Sequence, residues 1–210
     1  MKIDNYFGSP LWSEEKPDFI KSTIKATDKY IKQARQVNKV AIKSTGDFGL
    51  SHHSKQLLSD PAFKDLIDYI GNKAWSFLDW HGFDMSHYQT MISQMWVQEF
   101  AKKGGGHHSL HVHPNDHVAG FYFLKCSMKT SFPIFHDPRP GAQMTKLLLK
   151  DHTKITPGTD TIHRRPTPGM LMLFNGYLPH EFSLDAGHEP FRFIHFNLQA
   201  VLKGMAKDVV

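Results

Sequence analysis

The pattern of apolar residues changes near residue 88, and this change limits the folds that the chain can adopt. Before residue 88, two segments carry apolar residues at helical spacing; after it, short apolar runs alternate with turn-forming stretches of glycine and proline. Several short strands after two helices predict a mainly β fold, an antiparallel sandwich or barrel with the helices packed outside one sheet. The predicted strands are 88–100, 107–113, 117–127, 132–136, 145–150, 169–175 and 190–201.

The two predicted helices lie within residues 1–87. Between Pro17 and Gln36, apolar residues recur every three or four positions with lysines on the opposite side. The second helix begins at Asp60-Pro61, because aspartate is a good N-cap and proline fits the first helical position, and it ends near Gly82. We expect an extended lead-in over residues 1–14 and a loop over residues 43–54.

Length and composition favour one globular domain. The 210 residues contain 40% hydrophobic residues and no internal repeat or low-complexity linker, so we expect a single domain, 1–210. In this domain, residues 1–87 would form a helical support region and residues 88–201 the β-barrel core.

Cysteine content and charge bear on location and partners. Cys126 is the only cysteine, and no signal segment or membrane-spanning run is apparent, so we expect a cytoplasmic protein without a membrane partner. The net charge of +5 comes largely from lysines near the N-terminus. We interpret them as a solvated helix face; nucleic-acid binding is the lesser alternative, because no nucleic-acid-binding motif accompanies them.

Histidines are numerous, 15 in all, and five of them fall within residues 107–117. Residues two apart in a strand point to the same face, so His111 and His113 would project together. Two imidazoles directed into one cavity begin a site for iron, zinc, copper or nickel. A third candidate ligand is His180, which follows an apolar strand and a turn. The alternative is a surface tract of histidines that binds metal adventitiously.

Arg192 opens the apolar strand that follows His180. Burying an arginine is costly without an anionic partner, and its planar guanidinium suits a carboxylate. The order His-x-His, apolar strand, Pro-Gly, apolar strand, Pro-His and Arg favours a functional site over chance. Taken alone, Arg192 could instead form a structural ion pair with Glu181, Asp185 or Glu189.

This order of residues resembles the 2-oxoglutarate/Fe(II) oxygenase superfamily, and more closely its small prolyl-hydroxylase-like group of bacteria and phages. That superfamily carries His-x-Asp/Glu, then a distant histidine, then a basic residue. The matching stretches here are Phe7-Gly-Ser-Pro-Leu-Trp12, Trp96, His111-Val-His-Pro-Asn115, Gly120-Phe-Tyr-Phe-Leu124, Asp137-Pro-Arg139, Pro168-Gly169, Leu173-Phe174, Leu178-Pro-His180 and Arg192–Asn197.

The resemblance implies a double-stranded β-helix (jelly-roll) barrel. It also implies a dioxygenase that uses Fe(II), 2-oxoglutarate and O₂ to hydroxylate a peptide side chain or small molecule, releasing succinate and CO₂. His111 and His180 would be the constant imidazole ligands, whereas His113 stands where most of the superfamily has a carboxylate. Asp116 is the alternative third ligand.

The resemblance further implies that Arg192 binds the distal carboxylate of 2-oxoglutarate and that Tyr122 adds a hydrogen bond to it. Ile194 departs from the serine or threonine that the superfamily often has two residues after the arginine. Two other functions stay open. One is a cupin-like three-histidine metalloenzyme of the thiol-dioxygenase type, which needs no 2-oxoglutarate; the other is a non-catalytic barrel binding module.

Overall fold

The structure, a computed structural model, describes residues 2, 4, 7–144 and 147–204, apart from the side chains of residues 45 and 143. Its strands form two antiparallel sheets, a larger one in the order β1-β8-β5-β10-β3-β2 and a smaller one in the order β4-β9-β6-β7. The strands are β1 (Leu11–Glu15), β2 (Ser51–His53), β3 (Tyr88–Phe100), β4 (His108–His111), β5 (Val118–Lys125), β6 (Pro133–His136), β7 (Thr161–His163), β8 (Met170–Asn175), β9 (His180–Phe182) and β10 (Arg192–Leu202).

The chain passes back and forth between the two sheets from β3 onward, as in a jelly-roll sandwich. Strands β3, β5, β8 and β10 belong to the larger sheet, and β4, β6, β7 and β9 to the smaller one. The mainly antiparallel β architecture is therefore confirmed. The two facing sheets are consistent with the expected double-stranded β-helix (jelly-roll) fold, and within the described residues no strand pairing closes them into a barrel.

Aromatic rings fill the space between the sheets. The Phe182 ring of the smaller sheet lies 5.0 Å from the Phe121 ring and 4.6 Å from the Phe193 ring of the larger sheet, measured between centroids. Such distances are typical of favourable aromatic pairs. The buried members of this inner core are Phe100, Ala119, Phe121, Phe123, Phe135, Met170, Met172, Phe174, Leu178, Phe182, Phe191 and Phe193.

Two long helices cover the outer face of the larger sheet. The helices are α1 (Ile20–Val37), α2 (Lys39–Thr45), α3 (Lys64–Trp80) and α4 (Pro140–Met144), and short 3-10 turns precede α1 and α3. As predicted, the Asp60 side chain accepts a hydrogen bond from the main-chain nitrogen of Ala62 at 3.0 Å, at the start of the turn that leads into α3. The apolar side of α3 packs with Val97 of β3 and Ile194 of β10. Among the described helices, none is both long and apolar enough to span a membrane.

Gly120 allows three elements to meet in the middle of the larger sheet. A Cβ atom added to it would lie 2.3 Å from the carbonyl oxygen of Met172 and 2.5 Å from the ring of Phe196. No side chain other than hydrogen fits between β5 and its neighbours at this point.

The differences from the predicted elements concern short segments. Strands β2, β7 and β9 are three residues each, and β2 lies within residues 43–54, where a loop was expected. The predicted strand 145–150 is not formed by residues 147–150, and residues 145 and 146 lie outside the described part of the chain. A three-residue strand is held by its partners rather than by an alternating pattern of its own, so the sequence gives little sign of it.

Candidate metal centre

Two neighbouring strands of the smaller sheet bring the histidines together. His111 ends β4 and His180 begins β9, and the two residues face each other in the strand register. His113 lies two residues beyond β4, and its Nε2 atom is 3.3 Å from the Nε2 atom of His180. One possible ligand atom from each of these histidines lies within 4.8 Å of the other two. Because metal–imidazole bonds are about 2.1 Å long, nitrogens at this separation can share one ion after a small adjustment.

Main-chain carbonyls fix the orientation of two of the three rings. The Nδ1 atom of His180 lies 2.9 Å from the carbonyl oxygen of Leu178, and the Nδ1 atom of His111 lies 2.7 Å from that of Ser109. A carbonyl only accepts, so both Nδ1 atoms carry the proton and both Nε2 atoms keep a free lone pair. This is the tautomer that binds a metal through Nε2.

The third ring has a side-chain partner instead. The Nδ1 atom of His113 lies 3.2 Å from Nδ2 of Asn197, and Oδ1 of Asn197 lies 3.0 Å from Nε2 of His195. His195 is buried, and its ring stacks on Trp96 at a centroid distance of 4.5 Å. Neither His195 nor Asn197 was singled out from the sequence. The available signal was two polar residues at alternate positions of an otherwise apolar strand.

Burial keeps His180 and His113 uncharged. Burial, with a smaller contribution from neighbouring histidines, lowers the pKa of His180 to about 3 and the pKa of His113 to about 4. Neutral imidazole is the form that binds a metal, so both residues have the charge state of a ligand at neutral pH.

Asp116, the alternative third ligand, has another partner. Its Oδ1 atom accepts a hydrogen bond from the hydroxyl of Ser93 at 2.7 Å, and burial raises the pKa of its carboxyl group. Among the described residues, the group of convergent ligand atoms contains His113 and not Asp116.

Arg192 does not face the histidines, which corrects the expectation that it binds 2-oxoglutarate. Its side chain leaves β10 on the face opposite to His195 and Asn197, since alternate residues point to opposite faces. There, Nε of Arg192 lies 2.8 Å from Oε2 of Glu99, and Nη1 lies 2.6 Å from Oδ1 of Asp28. Arg192 and Glu99 are each 5% exposed. The guanidinium thus joins the larger sheet to α1, and its partners are neither Glu181, Asp185 nor Glu189.

Tyr122 also lies on the outer, helix-covered face of the larger sheet. Its hydroxyl donates a hydrogen bond to the carbonyl oxygen of Lys16 at 2.6 Å, and its ring packs against Phe19 at 6.5 Å between centroids. The expected hydrogen bond from Tyr122 to 2-oxoglutarate therefore needs the same correction.

One cavity adjoins the histidines, and a second lies near His180. One, of about 390 Å³, is lined by His113 together with Phe83, Val112, Asp116 and Tyr177 among others. The second, of about 320 Å³, opens between the edge strands β1 and β7 and reaches Phe135 and Leu178, which flank His180. Cavities of this size are typical of sites for side chains or small ligands.

A sequence-family comparison agrees with this geometry. A family model described as "Putative 2OG-Fe(II) oxygenase" matches residues 94–197, from β3 to β10. All three histidines fall inside the matched segment. Among curated protein sequences, none matches the chain.

Three solved structures are reported as similar in fold to this chain. One is an oxidoreductase of the 2OG-Fe(II) oxygenase family from Burkholderia pseudomallei, with 11% identity and a TM-score of 0.50; the match covers 71% of this chain and 66% of that one. Another is the epimerase SnoN in complex with Fe3+, alpha ketoglutarate and nogalamycin RO, with 9% identity, 94% and 84% coverage and a TM-score of 0.57. The third is a Pseudomonas putida prolyl-4-hydroxylase, with 8% identity, 90% and 92% coverage and a TM-score of 0.54.

At these identities the structures show a shared fold, while the family match supplies the chemistry. The matched segment contains the strands that face each other and the three histidines between them. The match over residues 94–197, about half of the chain, identifies an enzyme of the 2OG-Fe(II) oxygenase family, whose cofactors are Fe(II) and 2-oxoglutarate.

Proposed function

We propose that this chain is a 2-oxoglutarate-dependent dioxygenase that hydroxylates its substrate at an Fe(II) centre held by His111, His113 and His180, with release of succinate and CO₂. The observation that carries the proposal is the convergence of three imidazoles, two of which have Nε2 left free by a carbonyl bound at Nδ1. Imidazole nitrogen is a suitable ligand for Fe(II). When bound, the metal and 2-oxoglutarate supply the oxidative chemistry, and the protein positions and shields them.

The surroundings of His180 are suited to shielding. The Phe174 and Phe121 rings lie 4.7 Å and 5.7 Å from its imidazole, measured between centroids, and His180 is fully buried. Apolar rings on this side exclude water from the inner half of the metal site. The opposite half is bordered by the cavity at His113, from which we propose that O₂ and the substrate approach.

Three neutral histidines give the site one less negative charge than two histidines and a carboxylate. We therefore expect weaker Fe(II) binding than in relatives with an aspartate at the position of His113. Arg192 cannot reach 2-oxoglutarate without leaving Glu99 and Asp28, so the proposal depends on the histidines and not on this arginine.

The same proposal includes the organisation and setting of the protein. Residues 1–210 would act as one oxygenase domain, with the helical support region 1–87 stiffening the sheet that faces the metal. The packing of α1 and α3 on the larger sheet supports this division. A single cysteine, Cys126, suits the cytoplasm, where we propose that the enzyme acts.

The decisive experiment is anaerobic addition of Fe(II) and 2-oxoglutarate, followed by O₂. We expect a visible metal-to-ligand charge-transfer band, then conversion of 2-oxoglutarate into succinate that depends on O₂. His180→Ala should abolish both. The matched control is His136→Ala, because His136 lies on the adjacent strand β6 and contacts Glu181 rather than the cluster. Bound iron without the band would contradict the proposal.

The alternative of a three-histidine metalloenzyme that does not use 2-oxoglutarate is not supported by the family match over residues 94–197. Such an enzyme would consume O₂ in the presence of Fe(II) and its substrate without forming succinate. The succinate assay therefore separates the two functions.

A further inference from the structure

Asn197 connects a proposed metal ligand to a second, fully enclosed histidine. Its Nδ2 atom is 3.2 Å from Nδ1 of His113, and its Oδ1 atom is 3.0 Å from Nε2 of His195. Both Asn197 and His195 are buried, at 2% and 1% exposure, so water cannot replace either contact. The effect of Asn197 on His113 depends on which atom donates in its contacts with His113 and His195.

Each hydrogen bond between His195, Asn197, His113 and His180 has one donor and one acceptor that the atom types identify. The amide nitrogen of Asn197 donates to Nδ1 of His113, so the proton of His113 resides on Nε2. That Nε2 atom lies 3.3 Å from Nε2 of His180, whose own proton is on Nδ1 and bonds to the carbonyl oxygen of Leu178. At the other end, Nε2 of His195 donates to Oδ1 of Asn197. These contacts form a continuous series of hydrogen bonds, in which His195 is the first donor and the carbonyl oxygen of Leu178 is the last acceptor.

This arrangement is incompatible with metal binding at one of the three histidines. His111 and His180 already present an unprotonated Nε2 atom, but His113 carries its proton there. To bind a metal through Nε2, His113 must move its proton to Nδ1, and Nδ1 then needs an acceptor. The nearest group is the Asn197 carboxamide, which currently presents nitrogen to it.

We propose that Asn197 is the positioning residue for His113, and that its carboxamide rotates by half a turn when the metal binds. The rotated amide presents Oδ1 to the Nδ1–H group of His113 and presents Nδ2 to Nε2 of His195. His195 then carries its proton on Nδ1, so two histidines change tautomer while the number of bound protons stays the same. The proposal depends on the metal site described above but not on any reaction at it.

Two further groups favour the orientation found here. Oε1 of Gln94 lies 3.4 Å from Nδ2 of Asn197, and the Asp116 carboxyl group also interacts with Asn197. The amide nitrogen has two hydrogens, which these two acceptors and Nδ1 of His113 share. Rotation loses the contacts with Gln94 and Asp116 and reverses the direction of the bond to His113. Asn197 therefore opposes metal binding in one orientation and supports it in the other.

Nuclear magnetic resonance of the imidazole nitrogens tests the proposal on the unaltered protein. Two-bond ¹⁵N–¹H correlation spectra report which nitrogen of each histidine carries the proton, and diamagnetic Zn(II) serves as the probe metal. We expect Nδ1–H for His111 and His180 with and without Zn(II), which makes them internal controls. His113 and His195 should change from Nε2–H to Nδ1–H on addition of one equivalent.

Two results would overturn the rotation. One is Nδ1–H on His113 in the metal-free protein; the other is Nε2–H on His195 after Zn(II) has bound. Failure of Zn(II) to shift any of the three histidines would instead overturn the metal site itself, so the two failures are distinguishable.

Substitutions give an independent measurement through the Zn(II) dissociation constant. Asn197→Leu removes both polar atoms at similar volume and should weaken binding about 10- to 100-fold. Asn197→Asp keeps only acceptors and should bind Zn(II) at least as tightly as the unaltered protein; it is combined with Asp116→Asn to remove the contact between like charges. Unchanged affinity in Asn197→Leu, or equal losses in both, would refute the assignment.

The matched control is Asn38→Leu. Nδ2 of Asn38 lies 3.1 Å from Nδ1 of the buried His52, which is the same kind of pair at a distance from the cluster. This variant should lose stability without a change in Zn(II) affinity. If Asn197→Leu does not fold, the tautomer spectra of the unaltered protein still decide the question.

Discussion

Replacement of Arg192 by alanine distinguishes a structural ion pair from a cosubstrate ligand. The arginine contacts Glu99 through Nε and Nη2, at 2.8 Å and 2.6 Å, and Asp28 through Nη1 at 2.6 Å. Removing one partner of a buried ion pair costs about 3–5 kcal/mol, because the remaining charge stays buried. Glu99 keeps a second partner in Arg35, at 3.1 Å, so we expect a loss near the lower value, about 3 kcal/mol.

The assay compares the free energy of unfolding with the affinity for 2-oxoglutarate. Urea denaturation followed by circular dichroism should show the loss in Arg192→Ala, while the folded variant titrates with Fe(II) and 2-oxoglutarate like the unaltered protein. Arg35→Ala is the matched control, since it removes the other arginine from Glu99. We expect both variants to lose stability and neither to lose cosubstrate affinity.

The opposite result would refute the reasoning. If Arg192 bound the distal carboxylate, its loss would remove a charge-assisted contact of about 1.5–3 kcal/mol, or roughly 10- to 150-fold in the dissociation constant of 2-oxoglutarate. The reasoning fails if Arg192→Ala loses affinity for 2-oxoglutarate by that factor with an unchanged urea midpoint, while Arg35→Ala keeps its affinity. That result would show that the guanidinium faces the histidines.

Three other perturbations follow from the structure. His180→Ala should abolish Fe(II) and Zn(II) binding in calorimetry, because the remaining two imidazoles cannot complete the ligand set. Burial lowers the pKa of His180 to about 3 and that of His113 to about 4, so the unfolded chain binds protons below pH 6.5 that the folded chain does not. These two histidines should therefore cost the metal-free protein about 4 kcal/mol of stability between pH 7 and pH 5, and other buried histidines with a lowered pKa add to the loss; equal urea midpoints at both values would contradict this. Gly120→Ala should destabilise by about 3 kcal/mol, because its Cβ meets the main chain of Met172, and a midpoint like that of the unaltered protein would refute the close approach.

Much of the fold was predictable because its periodic patterns are long. The lysine-backed helix at 17–36 and the Asp60-Pro61 start correspond to α1 and α3, and β3 occupies the predicted residues 88–100. The three-residue strands β2, β7 and β9 were not predicted as such, because pairing with neighbours defines them rather than local alternation.

The approach of His111 and His113 could be predicted from their separation of two residues, which places side chains on one side of an extended segment. The strand itself ends at His111, and His113 reaches His180 from the segment after β4. For Arg192, the question was which side of β10 faces the metal. Both sides are apolar and buried, with Phe193 on one and Ile194 on the other. When neither face is polar, alternation cannot identify the inner one.

The position of His111 has a consequence for the smaller sheet. Strand β4 is four residues long, and among the described strands it lies at the edge of its sheet and pairs with β9 alone, where its register is irregular. A metal bound by His111 and His180 would cross-link these two strands at the point where they face each other. Loading the protein with metal should therefore slow amide hydrogen exchange over residues 108–113 more than anywhere in the larger sheet. The bound ion would stabilise the pairing of β4 with β9, which backbone hydrogen bonds alone hold weakly.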